Sequence, residues 1–517
     1  MNQVKNSQRA ASTYVAVNEP MYDYAAGSKE RQELDAAIDK YSNKLEDIPI
    51  VIGGEEIRTK DVRYQVEPFD HQKKIASFYY ATPELVQKAI DSSMKVRKDW
   101  EKRSLNDRCD IFLKAADLVS GKYRMDLMAA TMLGQAKNVV QAEIDTAAEM
   151  ADFLRFNVQF AQEITQYQPI SPNRNVTENR TVYRGMEGFW AAITPFNFTA
   201  IGGHLPSAPV QMGNVCLWKP SDTAMLSNYI MFKIYQEAGL PPGVINFVPA
   251  HGPVFGDTIT SSPHLAGINF TGSVATFKHL WKQVAKNLDI YKCYPRLIGE
   301  CGGKNFHFIH KTADVQSVVN GTVRSAFEYS GQKCSACSRM YIPKSVWAKV
   351  KDDMIKIQKD IKVGSPLEKE TFVSAVIDDK SFARIKGYLD HVKSSSSLKV
   401  LAGGKCDDSK GYFVEPTIIE TSDPKEKMMQ EEIFGPILTV YPYPDDQYKE
   451  TAQLVTETSP FALTGAIYSS DVLMCILPVQ STNDKAGGPH YLLKFVSVQS
   501  VKETKTPMTD WTYPSMK

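Results

Sequence analysis

Between Asn214 and Phe270 the chain alternates short apolar runs with helical stretches, and this limits the fold more than any other feature of its 517 residues. Residues 215–218, 245–248 and 266–270 read as strands, with helices at about 222–237 and 254–260 between them. Short strands separated by helices predict parallel β-α-β units and a nucleotide-binding type of sheet. Two carboxyl ends of these strands carry residues suited to a nucleotide. Lys219, just after the first, suits ribose hydroxyls or phosphate, although a solvent-facing lysine is the plain alternative. Thr271-Gly272-Ser273, after the last, brings a helix N-terminus to a pyrophosphate. The Gly-x-Gly-x-x-Gly dinucleotide fingerprint is absent.

A second constraint is chemical. Residues 327–339, Phe-Glu-Tyr-Ser-Gly-Gln-Lys-Cys-Ser-Ala-Cys-Ser-Arg, hold two of the eight cysteines in a loop of small and polar residues. After Gly331 and Gln332, on a turn that opens a helix, the Cys334 thiolate is stabilised by free backbone N–H groups and the helix dipole. With Cys337 it forms a Cys-x-x-Cys pair, so a redox dithiol and half a zinc site must be weighed. No second pair occurs and the nine histidines lack zinc spacing, so no metal is expected. Two inert buried thiols are the plain reading. Residues 296–305, Arg-Leu-Ile-Gly-Glu-Cys-Gly-Gly-Lys-Asn, set a single carboxylate, Glu300, among apolar and glycine residues. Such surroundings disfavour the anion and suit a general base poised near neutrality; a structural pair with Lys304 or Arg296 is the alternative. Residues 193–199, Ile-Thr-Pro-Phe-Asn-Phe-Thr, present Asn197 at the end of an apolar run. Its amide suits a developing oxyanion, or serves an ordinary turn.

These three stretches in this order, with Gly-Gln-x-Cys last, resemble the aldehyde dehydrogenase superfamily. Residues 195–203, 299–308 and 331–339 resemble its glutamate semialdehyde (pyrroline-5-carboxylate) dehydrogenase branch. The resemblance runs from about Asn18 to about Ser470 and resumes at about Thr482. It implies an α/β fold: a Rossmann-type parallel NAD-binding sheet, a second α/β catalytic domain and a C-terminal oligomerisation arm. The matching divisions are a leader or extension at 1–27, a helical part with the NAD-binding domain at 28–305, the catalytic domain at 306–470, and a shortened segment with the arm at 471–517. By resemblance Cys334 is the nucleophile, Asn197 and the Cys334 N–H hold the oxyanion, and Glu300 is the base. Lys219 and the turn Gly272, Ser273, Val274, Ala275 and Thr276 touch NAD, with Phe277 where relatives usually carry a further glycine. Asp222 lies where relatives often have a glutamate near the adenosine ribose. Glu432, in Glu-Glu-Ile-Phe-Gly-Pro at 431–436, takes the position that holds the nicotinamide ribose, although a helix-end charge cluster is the plain reading of that pair. Ser335 matches a contact to the substrate carboxylate.

The resemblance also implies oxidation of glutamate 5-semialdehyde to glutamate, a homodimer or higher homo-oligomer, and the mitochondrial matrix. Residues 1–18, with Lys5, Arg9 and no acid before Glu19, agree with an organellar leader. The pattern breaks at 471–481, which replace a helix, a strand and the glycine- and serine-rich loop that grips the substrate's α-carboxylate in relatives. A broader aldehyde dehydrogenase, or a subunit without turnover, therefore stays open.

Composition sets the outer bounds. Sixty basic and 59 acidic side chains leave a net charge of +1, which argues against nucleic-acid or membrane-surface partners. No apolar run approaches the roughly 18 residues of a membrane span. Eight cysteines without framework spacing suggest a reducing compartment. Helices are expected after the caps Ser28 and Thr82, and over 138–160 with solvated charges; 183–194 reads as one strand-like run.

Overall fold

The computed structural model describes residues 14–461, 463–471 and 486–517. Helix starts follow their local signals. Ser28 Oγ accepts the Arg31 N–H at 3.1 Å and opens Lys29–Ser42, with Leu34, Ile38 and Tyr41 on its buried stripe. Thr82 caps Pro83–Glu101, where the proline occupies the first turn and needs no N–H partner. The run after Asn138 is less uniform than expected. Val139–Ala142 is α, Glu143–Glu149 is π, and Met150–Ile164 is α again. Its charges are not all solvated, because Glu143 and Asp145 are only 1% and 0% exposed. A π turn is a common device for re-aiming side chains at functional sites.

The strand-like run at 183–194 splits in two. Thr177–Arg184 belongs to a separate ribbon, and β1 (Phe189–Ile193) begins the main sheet. The break needs a glycine at 185, where a Cβ would stand 2.4 Å from the Gly213 carbonyl oxygen. With β2 (Val215–Lys219), β3 (Ile245–Phe247), β4 (Leu265–Gly272) and β5 (Arg296–Cys301), β1 forms a parallel array in the order β5-β4-β1-β2-β3. Antiparallel Ile50–Ile52 and Glu55–Ile57 complete the seven strands. The chain runs β1 to β3 on one side of β1 and returns to β4 on the other. Ligands of open α/β sheets bind at such a reversal, beyond the carboxyl ends. Burial lapses there too: Ile193, Lys219, Thr271 and Gly272 are half-buried, whereas the rest of β1, β2 and β4 is buried.

After β5 the chain passes directly to β6 (Phe306–Ile309). With β7 (Arg339–Pro343), β8 (Leu398–Ala402), β9 (Thr417–Thr421), β10 (Ile437–Tyr443) and β11 (Gly465–Tyr468) it builds a second sheet, ordered β8-β9-β10-β7-β6-β11. All neighbours are parallel except β8 and β9. Phe413–Val414 lies outside this sheet and pairs with Cys406–Asp407. The strand β12 (Ser497–Thr504) pairs antiparallel with Thr177–Arg184 and is exposed along its length save Val501. The replaced segment at 471–481 lies outside the described residues except for Asp471. Residues from Tyr14 onward dock on the fold: Tyr14 and Ala16 donate backbone N–H to Gln162 and Gln159, and Glu19 pairs with Arg124 and Arg155. Among the described residues no helix is long and apolar enough to cross a membrane.

Candidate active site

Backbone strain, held from outside, shapes the loop before Cys334. Tyr329, Ser330 and Gly331 have φ of 51°, 55° and 64°. That left-handed geometry costs about 1–3 kcal/mol for each of the first two and little for glycine. Gly331 meets a second demand, since a Cβ there would lie 2.3 Å from the Gly435 carbonyl oxygen. Ser330 Oγ donates to the Ser374 carbonyl at 2.6 Å, and Gln332 Oε1 accepts the Ile377 N–H at 2.8 Å. Asn305 Nδ2 donates to the carbonyls of Cys334 and Ala336.

The expectation that a helix opens at Cys334 is not met: a turn carries the cysteine and leads into β7. The thiol is pushed up to about 11 by burial first, then by the carboxylates of Glu300 and Glu432, against the pull of a backbone N–H. It therefore rests protonated at neutral pH, and a proton acceptor is needed before it can add to a carbonyl. Cys337 is buried, and both thiols are free.

Asn197 lies just beyond β1 and is 4% exposed. Its Nδ2 donates to the Gln332 carbonyl at 3.1 Å, so the amide stands against the nucleophile loop. Glu300 is the penultimate residue of β5, in register with Thr271 of β4. Of its alternative partners, Lys304 donates to Ser338 Oγ at 2.6 Å and Arg296 to the carbonyls of Leu493 and Lys494. Glu432 turns inward. Its Oε1 accepts the Gly303 N–H at 3.1 Å, and burial raises its pKa. A Cβ on Gly302 would meet the Glu432 carboxylate, so a side chain there would displace it. Glu431, by contrast, suits the plain surface reading: it is exposed, bonded to Tyr388 Oη at 2.8 Å and 3.8 Å from Lys427. Phe434, at φ 53°, meets Phe196 edge to face at 5.9 Å and joins this segment to the Asn197 loop. Ser335, next to the thiol, is exposed.

At the carboxyl end of β2 stands Lys219, half-buried. Burial lowers its pKa and Asp222 opposes that. Asp222 Oδ2 accepts the Tyr80 hydroxyl, while its buried Oδ1 has no partner among the described residues. A cation beside a spare acceptor fits a ribose diol. Ser273 caps Val274–Lys286, its Oγ accepting the Thr276 N–H at 3.2 Å. Gly272 precedes it, and Ser273, Ala275 and Thr276 are exposed. The N–H groups of Val274 and Ala275 have no helical partner and suit a phosphate. Phe277 stacks on Phe270 at 5.5 Å and covers Gly299, where a Cβ would meet its ring at 2.5 Å. The large ring offsets the absent side chain.

Three charged groups beside these loops escaped the sequence reading. Lys137 and Asp145 form a buried pair at 2.8 Å. Glu149 is pushed up to about 7 by burial first, then by Asp145, with Lys137 and Lys333 opposing. The available signal is the spacing of Asp145 and Glu149, two acids one helical turn apart with no base three or four residues from either.

Comparison with known proteins bears on this arrangement. Residues 57–481 match the aldehyde dehydrogenase family. The chain is similar to the mitochondrial delta-1-pyrroline-5-carboxylate dehydrogenase of Danio rerio, at 56% identity over 96% of this chain and 95% of that one. The Homo sapiens protein of the same name is 55% identical, over 98% and 95%. The Danio alignment spans 531 residues, more than the 517 of this chain, so this chain carries gaps against that relative. Among solved structures, the Mycobacterium tuberculosis delta-pyrroline-5-carboxylate dehydrogenase bound with NAD superposes with a TM-score of 0.93 at 39% identity, over 97% of this chain and 98% of that one. On the strength of these matches the chain belongs to the aldehyde dehydrogenase family.

Proposed function

We propose that this chain is an NAD-dependent dehydrogenase that oxidises L-glutamate 5-semialdehyde, the open form of 1-pyrroline-5-carboxylate, to L-glutamate in proline breakdown. The observation that carries the reading is the bond from the Asn197 amide to the Gln332 carbonyl. It holds a hydrogen-bond donor from one sheet against the thiol loop of the other, where the charges of two carboxylates reach the sulfur. The names of the relatives support both the substrate and a mitochondrial location; the matrix is the finer part of the proposal.

Each residue then has a task. Cys334 Sγ adds to the aldehyde carbon, giving up its proton to Glu300, whose charge reaches it. The oxyanion is held by the Asn197 amide and the Cys334 N–H. NAD, when bound, accepts the hydride. Lys219, Asp222 and the turn Gly272, Ser273, Val274, Ala275 and Thr276 are suited to its adenosine and phosphates, and Glu432 to the nicotinamide ribose. Glu300, having released its proton to solvent, draws one from the water that hydrolyses the Cys334 thioester. Ser335 takes the substrate carboxylate. In this reading 28–305 bind the dinucleotide and 306–470 carry the nucleophile. The exposed ribbon of β12 within 471–517 joins subunits into a homodimer or larger homo-oligomer.

The test is NADH formation by the purified chain with pyrroline-5-carboxylate, beside an aliphatic aldehyde of similar length. The expected result is turnover that favours the semialdehyde and vanishes in Cys334→Ala. Equal rates on both substrates would point to a broader aldehyde dehydrogenase, and no NADH at all would remove the assignment.

A further inference from the structure

Beneath the site lies a buried ion pair that no step above uses. Lys137 follows Ala136, the left-handed residue at φ 58° that ends Arg124–Gln135. Its Nζ lies 2.8 Å from Asp145 Oδ2, inside the π segment, and neither side chain is more than 1% exposed. Asp145 has further partners: Oδ2 also accepts the Thr199 N–H at 2.9 Å, and Oδ1 the Ala200 N–H at 2.8 Å. Those are the first two N–H groups of Thr199–Gln211, whose own cap residue Phe198 offers no side-chain acceptor. A borrowed carboxylate satisfies both orphan donors and meets the positive end of the dipole. Asp145 thereby fixes the chain two residues after Asn197.

Lys137 reaches two further elements. Its ammonium lies 4.2 Å from the centre of the Phe198 ring and 4.7 Å from that of Tyr329. Phe198 adjoins Asn197, and Tyr329 begins the left-handed turn before Cys334. One cation thus ties the π segment, the Asn197 loop and the nucleophile loop together. Stability alone is a weak reason for such a pair, since buried ion pairs often gain nothing over apolar residues of equal volume.

We infer that Lys137 and Asp145 are positioning residues for the oxidation, holding the Asn197 amide at its working distance from Cys334. The inference rests on the dehydrogenase reading above. Lys137→Met keeps most of the side-chain length and removes the charge. Three quantities are measured: kcat with pyrroline-5-carboxylate, KM for NAD, and the rate of Cys334 alkylation by iodoacetamide. The expected kcat loss is about 100-fold, the scale of an ångström's misplacement. KM and alkylation stay within about twofold, because the pair holds neither the dinucleotide turn nor the sulfur itself. A kcat within about threefold of wild type overturns the inference, and so does an equal fall in kcat and alkylation, the mark of lost folded protein.

Should Lys137→Met not fold, Tyr329 decides. Tyr329→Leu removes the ring under the cation, whereas Tyr329→Phe keeps it and drops a hydroxyl that has no partner among the described residues. A kcat at least about tenfold lower in Leu than in Phe supports the inference, and equal values overturn it. A wild-type chain that forms no NADH takes down the dehydrogenase reading, and this inference with it.

Discussion

The Ser273 turn and the Cys334 loop are built on opposite principles. At Ser273 everything is local: glycine ends a strand, the serine caps the helix that follows, and the open N–H groups sit within the first turn. At Cys334 almost nothing is. Three consecutive left-handed residues and the turn after them are fixed by bonds to Ser374, Ile377 and Asn305 and by the close approach of Gly435, none of them neighbours in the chain. A helix N-terminus opens in the first region, while the second has no such dipole and burial keeps its thiol neutral. A local motif tolerates local change, whereas a loop held by distant contacts answers to changes far away in the chain.

That contrast is sharpest at Asn197, the contact from the nucleotide-binding sheet to the loop. Asn197→Ala is predicted to lower kcat by about 10²–10³, the usual effect of losing one oxyanion donor, with KM for NAD little changed. Steady-state kinetics check it, and an unchanged kcat would mean the amide serves the turn alone. Next in size is Gly331→Ala. Its φ of 64° and the 2.3 Å approach of a Cβ to Gly435 both oppose the change, at about 2–4 kcal/mol together. A lower unfolding midpoint in denaturant, with at least a tenfold loss of activity, is the expected outcome.

The same division explains what the sequence reveals. Strands β2, β3 and β4 read correctly because a parallel strand buried on both faces is a nearly continuous apolar run. The caps Ser28, Thr82 and Ser273 act within three residues of themselves. The failures depend on long-range partners. Asp145 looks like a solvated acid until the Thr199 N–H, 54 residues away, is brought to it. Nothing within 327–339 tells that the turn at Cys334 opens no helix before the strand that follows. The π segment is hidden for a related reason, since its apolar and acidic residues fit an α-helical pattern equally well. From residues alone Glu432 reads as part of a helix-end charge cluster, and only Gly302 and Gly303 reveal that it points inward.

The thiol itself supplies a third prediction. With its pKa raised to about 11, the thiolate fraction of Cys334 grows with pH across the whole accessible range. Alkylation of the resting chain by iodoacetamide is expected to quicken about tenfold per pH unit from about pH 7 to 10, without levelling off. A plateau below about pH 9 would mean an activated resting thiol and would erase the contrast between the two regions.

The smallest effect belongs to the local motif. Ser273→Ala removes the Oγ that accepts the Thr276 N–H, while the backbone, the exposed first turn and Gly272 are untouched. Loss of such a cap costs about 1 kcal/mol, which corresponds to a change of about fivefold in a binding constant if all of it falls on the ligand-bound form. KM for NAD is therefore expected to rise by no more than about fivefold, with kcat and the alkylation rate of Cys334 unchanged. Because the turn shares no side-chain hydrogen bond with the nucleophile loop among the described residues, its loss has no route to the sulfur. A fall in kcat at saturating NAD would reveal such a route and join the two regions into one cooperative unit.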